Sequence, residues 1–279
     1  VRRWLDLLLD VLLPATCEVC ELPLEEPAER ALCRVCLATM SPPRAPLCPT
    51  CGLPLGRGAA SSCASCRIAP PAFATARAAA LYVPSAAGGN VLARAVQRLK
   101  YDRRRALARA LGGLMALRYP FGPDAVLIPV PLHPRRLRRR GFNQAELLAA
   151  EVARRRGLQI APTVLVRPRP TAAQPGLGAA ARRRNLRDAF RIAGPSTSIA
   201  HRDLVLVDDV LTSGATADAC ARVLREAGAR RVDVFTLGRA PAPGTFEEPE
   251  TDLPDGGQPT VADACDGGAS ALDGPPHRR

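Results

Sequence analysis

Aromatic residues make up only 4% of this 279-residue chain, so the composition offers no set of flat rings on which nucleic-acid bases would stack. Lysine is nearly missing: of 39 basic residues only Lys100 is lysine. No stretch reaches the roughly 18 consecutive apolar residues that a membrane span needs. The N-terminal Val1-Arg2-Arg3-Trp4 stretch imitates a signal peptide, but Asp6 and Asp10 break its apolar run and no small-residue cleavage site follows. The expectation is therefore a cytoplasmic protein, in which ten cysteines do not build a disulfide framework.

Apolar residues reach 47%, enough for a sizeable core in one or two domains. The net charge of +13 is unevenly placed. Residues 240–279 carry eight acids against Arg278 and Arg279, a net of −6, which leaves +19 on residues 1–239. Such a body favours an anionic partner: phosphate groups, nucleotides or nucleic acid. A coding bias toward arginine accounts for part of the same surplus.

Eight of the ten cysteines form four C-x-x-C pairs: Cys17/Cys20, Cys33/Cys36, Cys48/Cys51 and Cys63/Cys66. Gaps of 12, 11 and 11 residues separate them, room for a small hairpin between knuckles. A C-x-x-C on a tight turn presents two thiolates on one side, and two such turns complete a tetrahedral zinc site, so eight ligands imply two zinc ions. A redox dithiol would want one such pair beside a βαβ unit instead. Local closure favours 17/20 with 33/36 and 48/51 with 63/66. An interleaved cross-brace is the alternative.

The rest divides by texture. Residues 1–68 read as a short amphipathic helix over 4–13 followed by a cysteine-rich block that needs its metal as a staple. Residues 69–76 read as a linker, and 77–240 alternate strand-like and helical patterns. Strands are expected at 78–83, 125–130, 163–166, 204–207 and 232–237. Helices are expected at 90–99, 104–118, 143–156 and 215–227. That alternation predicts an α/β fold, a parallel sheet covered on both faces. The run Arg135, Arg136, Arg138, Arg139, Arg140 reads as a basic loop, with His133 also in a loop. Residues 167–187 form a polar stretch too long for a simple connector. Residues 241–279, rich in Pro, Gly and acids without periodicity, read as a disordered tail.

The segment Leu204-Val205-Leu206-Val207-Asp208-Asp209-Val210-Leu211-Thr212-Ser213-Gly214-Ala215-Thr216 carries the most chemistry. A buried strand ends in two carboxylates, a hydroxyl- and glycine-containing loop follows, then a helix begins. The loop amides and helix N-terminus suit one phosphate. The carboxylates would repel that phosphate unless they hold sugar hydroxyls, directly or through Mg²⁺.

This segment resembles the phosphoribosyl-pyrophosphate (PRPP) signature of type I phosphoribosyltransferases. Three further stretches make the chain similar to the ComF family, also called ComFC or GntX-like. They are Leu99-Lys100-Tyr101, Pro129 through Pro134 with Arg140-Gly141-Phe142-Asn143-Gln144, and the pattern from Arg167 through Thr171, Gln174, Arg182 and Asn185 to Phe190. The cysteine block resembles that family's double zinc ribbon. The resemblance implies a type I phosphoribosyltransferase-like fold behind the ribbon. It implies Mg²⁺-dependent transfer of a phosphoribosyl group with release of pyrophosphate, linked to DNA uptake. Asp208 and Asp209 would hold ribose, and Thr212, Ser213, Gly214, Ala215 and Thr216 the 5′-phosphate. Lys100, Arg139 and Arg140 would hold pyrophosphate. Arg167 and Arg182 would act in catalysis by bringing positive charge to the departing pyrophosphate, from a flexible loop that also carries Thr171, Gln174 and Asn185. The other reading is a non-catalytic accessory of DNA uptake that holds single-stranded DNA or meets competence proteins, with a regulatory or vestigial PRPP site.

Overall fold

The computed structural model describes residues 15–24, 31–56, 61–84, 89–168, 188–194 and 199–242. The helix expected over 4–13, most of the 167–187 stretch and the tail from 243 on lie outside the described residues.

Four apolar residues in a row, Leu204–Val207, are buried, as a strand covered on both faces requires. They form the centre of a five-stranded sheet in the order β1-β7-β6-β2-β3. The strands are β1 (Ala76–Leu81), β2 (Val126–Pro129), β3 (Gln159–Ile160), β6 (Asp203–Leu211) and β7 (Arg231–Arg239), and every pairing is parallel. β4 (Leu165–Val166) and β5 (Arg191–Ile192) make a separate antiparallel ribbon that brackets the long polar stretch. Strand alternation splits the core in two. Val205, Val207, Phe235 and Leu237 face one cluster, and Leu204, Leu206, Val232 and Val234 face the other.

The first cluster takes the apolar faces of α3 (Val91–Tyr101), α4 (Leu107–Leu117) and α6 (Gln144–Arg156). Asn90 and Asn143 open α3 and α6 by accepting from Ala93 N at 3.0 Å and Ala145 N at 3.1 Å. The second cluster takes α7 (Ala215–Glu226). The sequence pattern found these elements and missed α5 (Pro134–Arg140), where it expected a basic loop. The start and stop signals were there: Pro134 in the first turn, His133 Nδ1 accepting from Arg135 N at 3.2 Å, and Gly141 in the left-handed region at the end. His133 is thus a helix cap.

The cysteine block is divided between the two cores. Cys17, Val19, Leu32, Cys36 and Met40 join the first cluster, and Cys48, Cys51 and Cys63 join the second. Each half has a short helix behind its second pair, α1 (Arg34–Ala38) and α2 (Ala64–Ile68). The chain between the halves crosses the outer edge of β1, where Ser41 O accepts from Leu81 N at 2.9 Å. Arg118 Nη1 pins that crossing, donating to Met40 O at 2.5 Å and Ala79 O at 2.8 Å. An open sheet edge is thereby covered.

Candidate functional site

The two cysteine groups are sequential, as local closure predicted. Cys17, Cys20, Cys33 and Cys36 bring their sulfurs within 4.8 Å of one another, and so do Cys48, Cys51, Cys63 and Cys66. Tetrahedral zinc with thiolates at about 2.3 Å needs sulfurs about 3.8 Å apart, so each cluster fits one structural zinc ion. Their acidity fits a cation too. The hydrogen bond with Cys36 holds Cys17 down at about 4, while that same bond and burial push Cys36 far up. Cys17 is the thiol of this cluster that gives up its proton most readily, while burial pushes Cys20 up.

The second centre is at the carboxyl end of β6. Adjacent residues of a strand face opposite ways, and the two acids meet different partners. Asp209 is buried against α3 and α6: it forms an ion pair with Lys100 and accepts from Gln144 Nε2 at 2.8 Å. Burial alone would raise its pKa, but Lys100 and Gln144 outweigh that and hold it below the ordinary carboxylate range. Asp208 remains partly exposed, accepts from Asp209 N at 2.8 Å, and is within electrostatic reach of Arg167 and of buried Cys220. Desolvation and the neighbouring Asp209 charge push Asp208 well above the ordinary range.

Beyond the acids, Thr212 and Ser213 are exposed, and Gly214 opens α7 with φ +77°. The first amides of a helix have no partner within it, so this turn presents donors and a positive dipole end beside Asp208. Arg140 extends the network on the other side by donating to Gln144 Oε1. An amide and two cations from three helices therefore form one chain with the acid of β6, Arg140–Gln144–Asp209–Lys100. Lys100, Arg139 and Arg140 line a cavity of about 380 Å³ with Tyr101, Arg103 and Arg136. Tyr101 is 66% exposed there, and the Arg140 guanidinium is 5.6 Å from its ring centre.

Arg167 leaves β4 buried, its guanidinium 5.2 Å from the Phe190 ring centre. Arg182, Thr171, Gln174 and Asn185 lie outside the described residues. Two residues to which the sequence assigns no role join the site. Gln144, named only within a family-like stretch, donates to Asp209 and positions it. Arg239 has no motif of its own, yet its guanidinium holds the Leu211 and Thr212 carbonyls at 2.9 and 2.8 Å.

Residues 8–67 match the double zinc ribbon domain family. The DNA utilization protein YhgH of Escherichia coli K12 is 36% identical over 234 residues, covering 81% of this chain and 97% of that protein. The chain belongs to the ComF family. Another relative, competence protein F of Haemophilus influenzae, is 35% identical over 153 residues, which span 52% of this ComF-family chain and 66% of that protein. Among solved structures, a glutamine PRPP amidotransferase from B. subtilis superposes on 47% of this chain and 26% of its own, with 22% identity and a TM-score of 0.33. A hypoxanthine phosphoribosyltransferase from Staphylococcus aureus covers 51% and 68%, with 14% identity and a TM-score of 0.29. Among the described residues of this family member, no helix is long and apolar enough to cross a membrane.

Proposed function

We propose that this ComF-family protein binds PRPP with Mg²⁺ and transfers its phosphoribosyl group, releasing pyrophosphate, in the service of DNA uptake. The observation that carries the reading is the parting of Asp208 and Asp209 beside the opening turn of α7. One acid is locked to Lys100 and Gln144, and the other is left partly exposed and electrostatically unfavoured, as a group awaiting a ligand would be. Residues 212–216 would take the 5′-phosphate. The acids would take the ribose hydroxyls, and the cations of the Arg139/Arg140 cavity the pyrophosphate. Mg²⁺ would rest on carboxylate oxygen of Asp208 together with oxygens of the ligand, a hard-donor set that suits it, and would neutralise charge on the departing pyrophosphate.

Calorimetry with PRPP, with and without Mg²⁺, tests this. Asp208→Asn removes one charge-assisted acceptor and should weaken binding by about 10- to 100-fold. The pH dependence has a fixed sign. Asp208 holds its proton more tightly when folded than when unfolded, so its contribution to stability is full below the unfolded carboxylate pKa and fades as pH rises through the folded one. Ligand binding must expel that proton. Affinity should therefore climb with pH across the window above the ordinary carboxylate range, with proton release, and Asp208→Asn should flatten the climb. Mg²⁺-independent affinity unchanged by the substitution would sink the proposal.

The accessory reading has its own support in Tyr101, exposed among Lys100, Arg103, Arg136, Arg139 and Arg140, and in relatives named for DNA utilization and competence. A ring flanked by arginines can stack one base and hold its phosphates. Single-strand affinity should then fall steeply with salt and drop in Tyr101→Ala. Truncation after Ala242, which removes an acidic competitor, should tighten it. Salt-insensitive binding, or none at low salt, retires this reading.

A further inference from the structure

The second ribbon is built into the phosphate loop in a way that the first is not. Arg239 closes β7 with only 5% of its surface exposed. Its Nε donates to Cys51 O at 3.1 Å and its Nη2 reaches Cys51 Sγ at 3.8 Å. Its Nη1 donates to Leu211 O at 2.9 Å, Thr212 O at 2.8 Å and Ala240 O at 2.6 Å. One rigid guanidinium thus touches both a cluster sulfur and the first carbonyls of the loop. Two other contacts run in parallel. Asp218 Oδ1, in the first turn of α7, accepts from Ala72 N at 2.7 Å, and the Phe73 ring packs beside Gly214. Residues 69–73 follow the last cysteine pair directly, so both contacts are short tethers from the metal site.

We infer that Arg239 is a positioning residue through which metal occupancy of Cys48, Cys51, Cys63 and Cys66 is coupled to phosphate-ester binding at residues 212–216. This rests on the PRPP reading for the identity of the ester. A buried cation satisfied by four contacts to carbonyls and one to sulfur has one well-defined place. A metal-bound cysteine sulfur accepts hydrogen bonds better than a free thiol, so the metal strengthens the grip on Nη2. With the guanidinium fixed, the Leu211 and Thr212 carbonyls are held back and the amides that follow are presented to the ligand. Losing the metal frees the Cys51 knuckle, loosens Arg239 and blurs the loop. Linkage makes the effect mutual: an ester that selects the ordered loop must retain the metal of the second cluster. The first cluster is tied instead through Glu21 and Glu18 to Arg98 and Arg104 on the opposite core, and it serves as an internal control.

The test uses the full chain loaded with two zinc ions. A zinc-selective chelator that leaves Mg²⁺ free and a pulsed thiol-alkylating reagent are applied with and without PRPP and Mg²⁺, and alkylation is read cysteine by cysteine by mass spectrometry. PRPP should slow modification of Cys48, Cys51, Cys63 and Cys66 by about tenfold, within the usual range for coupled sites, and leave Cys17, Cys20, Cys33 and Cys36 unchanged. Arg239→Met should abolish the difference and weaken PRPP about tenfold, and Arg239→Lys, which keeps the charge but not the fork, should restore only part of each. Equal protection of all eight cysteines, or of none while calorimetry shows PRPP bound, overturns the coupling. If calorimetry shows no PRPP bound to the wild type, the PRPP reading falls instead. Inorganic phosphate at millimolar concentration is then the probe, and a lack of selective protection with it overturns the coupling as well. Should Arg239→Met fail to fold, the wild-type protection pattern decides alone.

Discussion

The two zinc ribbons repeat one local design in different surroundings. In the first, Cys17 N donates to Leu22 O at 2.8 Å and Glu21 N to Cys17 O at 2.9 Å; in the second, Cys48 N donates to Leu53 O at 2.8 Å and Gly52 N to Cys48 O at 2.9 Å. Both knuckles close through an antiparallel bridge, Thr16 with Pro23 and Leu47 with Pro54. Both need a left-handed residue just after the second cysteine, Glu21 at φ 66° and Gly52 at φ 64°. The residue types differ because the neighbours differ. A Cβ on Gly52 would be 2.7 Å from the Ala76 carbonyl oxygen. Glu21 stands in solvent and reaches Arg98 at 2.8 Å. Backbone geometry alone asks for a left-handed residue; packing against β1 narrows the choice to glycine.

If that contrast is right, Gly52→Ala should do the most damage. The φ penalty adds to a clash with backbone that cannot swing away, for a loss of about 3 kcal/mol in denaturant unfolding and of one zinc ion from two. Glu21→Gly should keep both metals and fold as well as the parent. A stable, two-zinc Gly52→Ala protein would mean that the ribbons are interchangeable. Arg118→Met comes next: it strips two hydrogen bonds from the crossing between the ribbons and should cost about 1–2 kcal/mol, with zinc content unchanged. The smallest effect belongs to the first ribbon's surface. Arg98 holds the exposed Glu21 carboxyl below its ordinary value, so the pair contributes above the unfolded carboxylate pKa and fades as pH falls through the folded one. High salt should loosen Cys17 and Cys20 to alkylation slightly and leave Cys48 and Cys51 untouched.

The same contrast shows what was legible in the sequence. Sequential cysteine pairing could be read because each cluster closes over a short loop, where spacing and chain entropy agree. Strand β6 and the turn after it were legible because a buried apolar run, two acids and a glycine are local signals. The partners of Asp209 were not. Lys100 and Gln144 come from helices far away in sequence, and only the sheet brings them to one carboxylate. Arg239 was hidden more thoroughly, one arginine in an arginine-rich chain whose role exists only once Cys51 and Thr212 flank it. Asp209→Asn strips the largely buried Lys100 of its counter-charge and should destabilise the empty protein.

The outermost strand of the sheet has a temporal consequence. β1 pairs only with β7, whose residues are the last of the sheet to be made. While the ribosome is still adding residues 77–230, the amino-terminal third has no strand to lean on. The cysteine clusters need no such wait, since the ligands of each lie within 20 residues of one another. Metal capture can therefore precede tertiary assembly, giving the growing polypeptide two preformed hubs. The last strand then slides in beside β1 and joins amino- and carboxyl-terminal parts in a single late step. A nascent chain arrested before Arg231 should already hold its metals while lacking the protease resistance of the finished sheet.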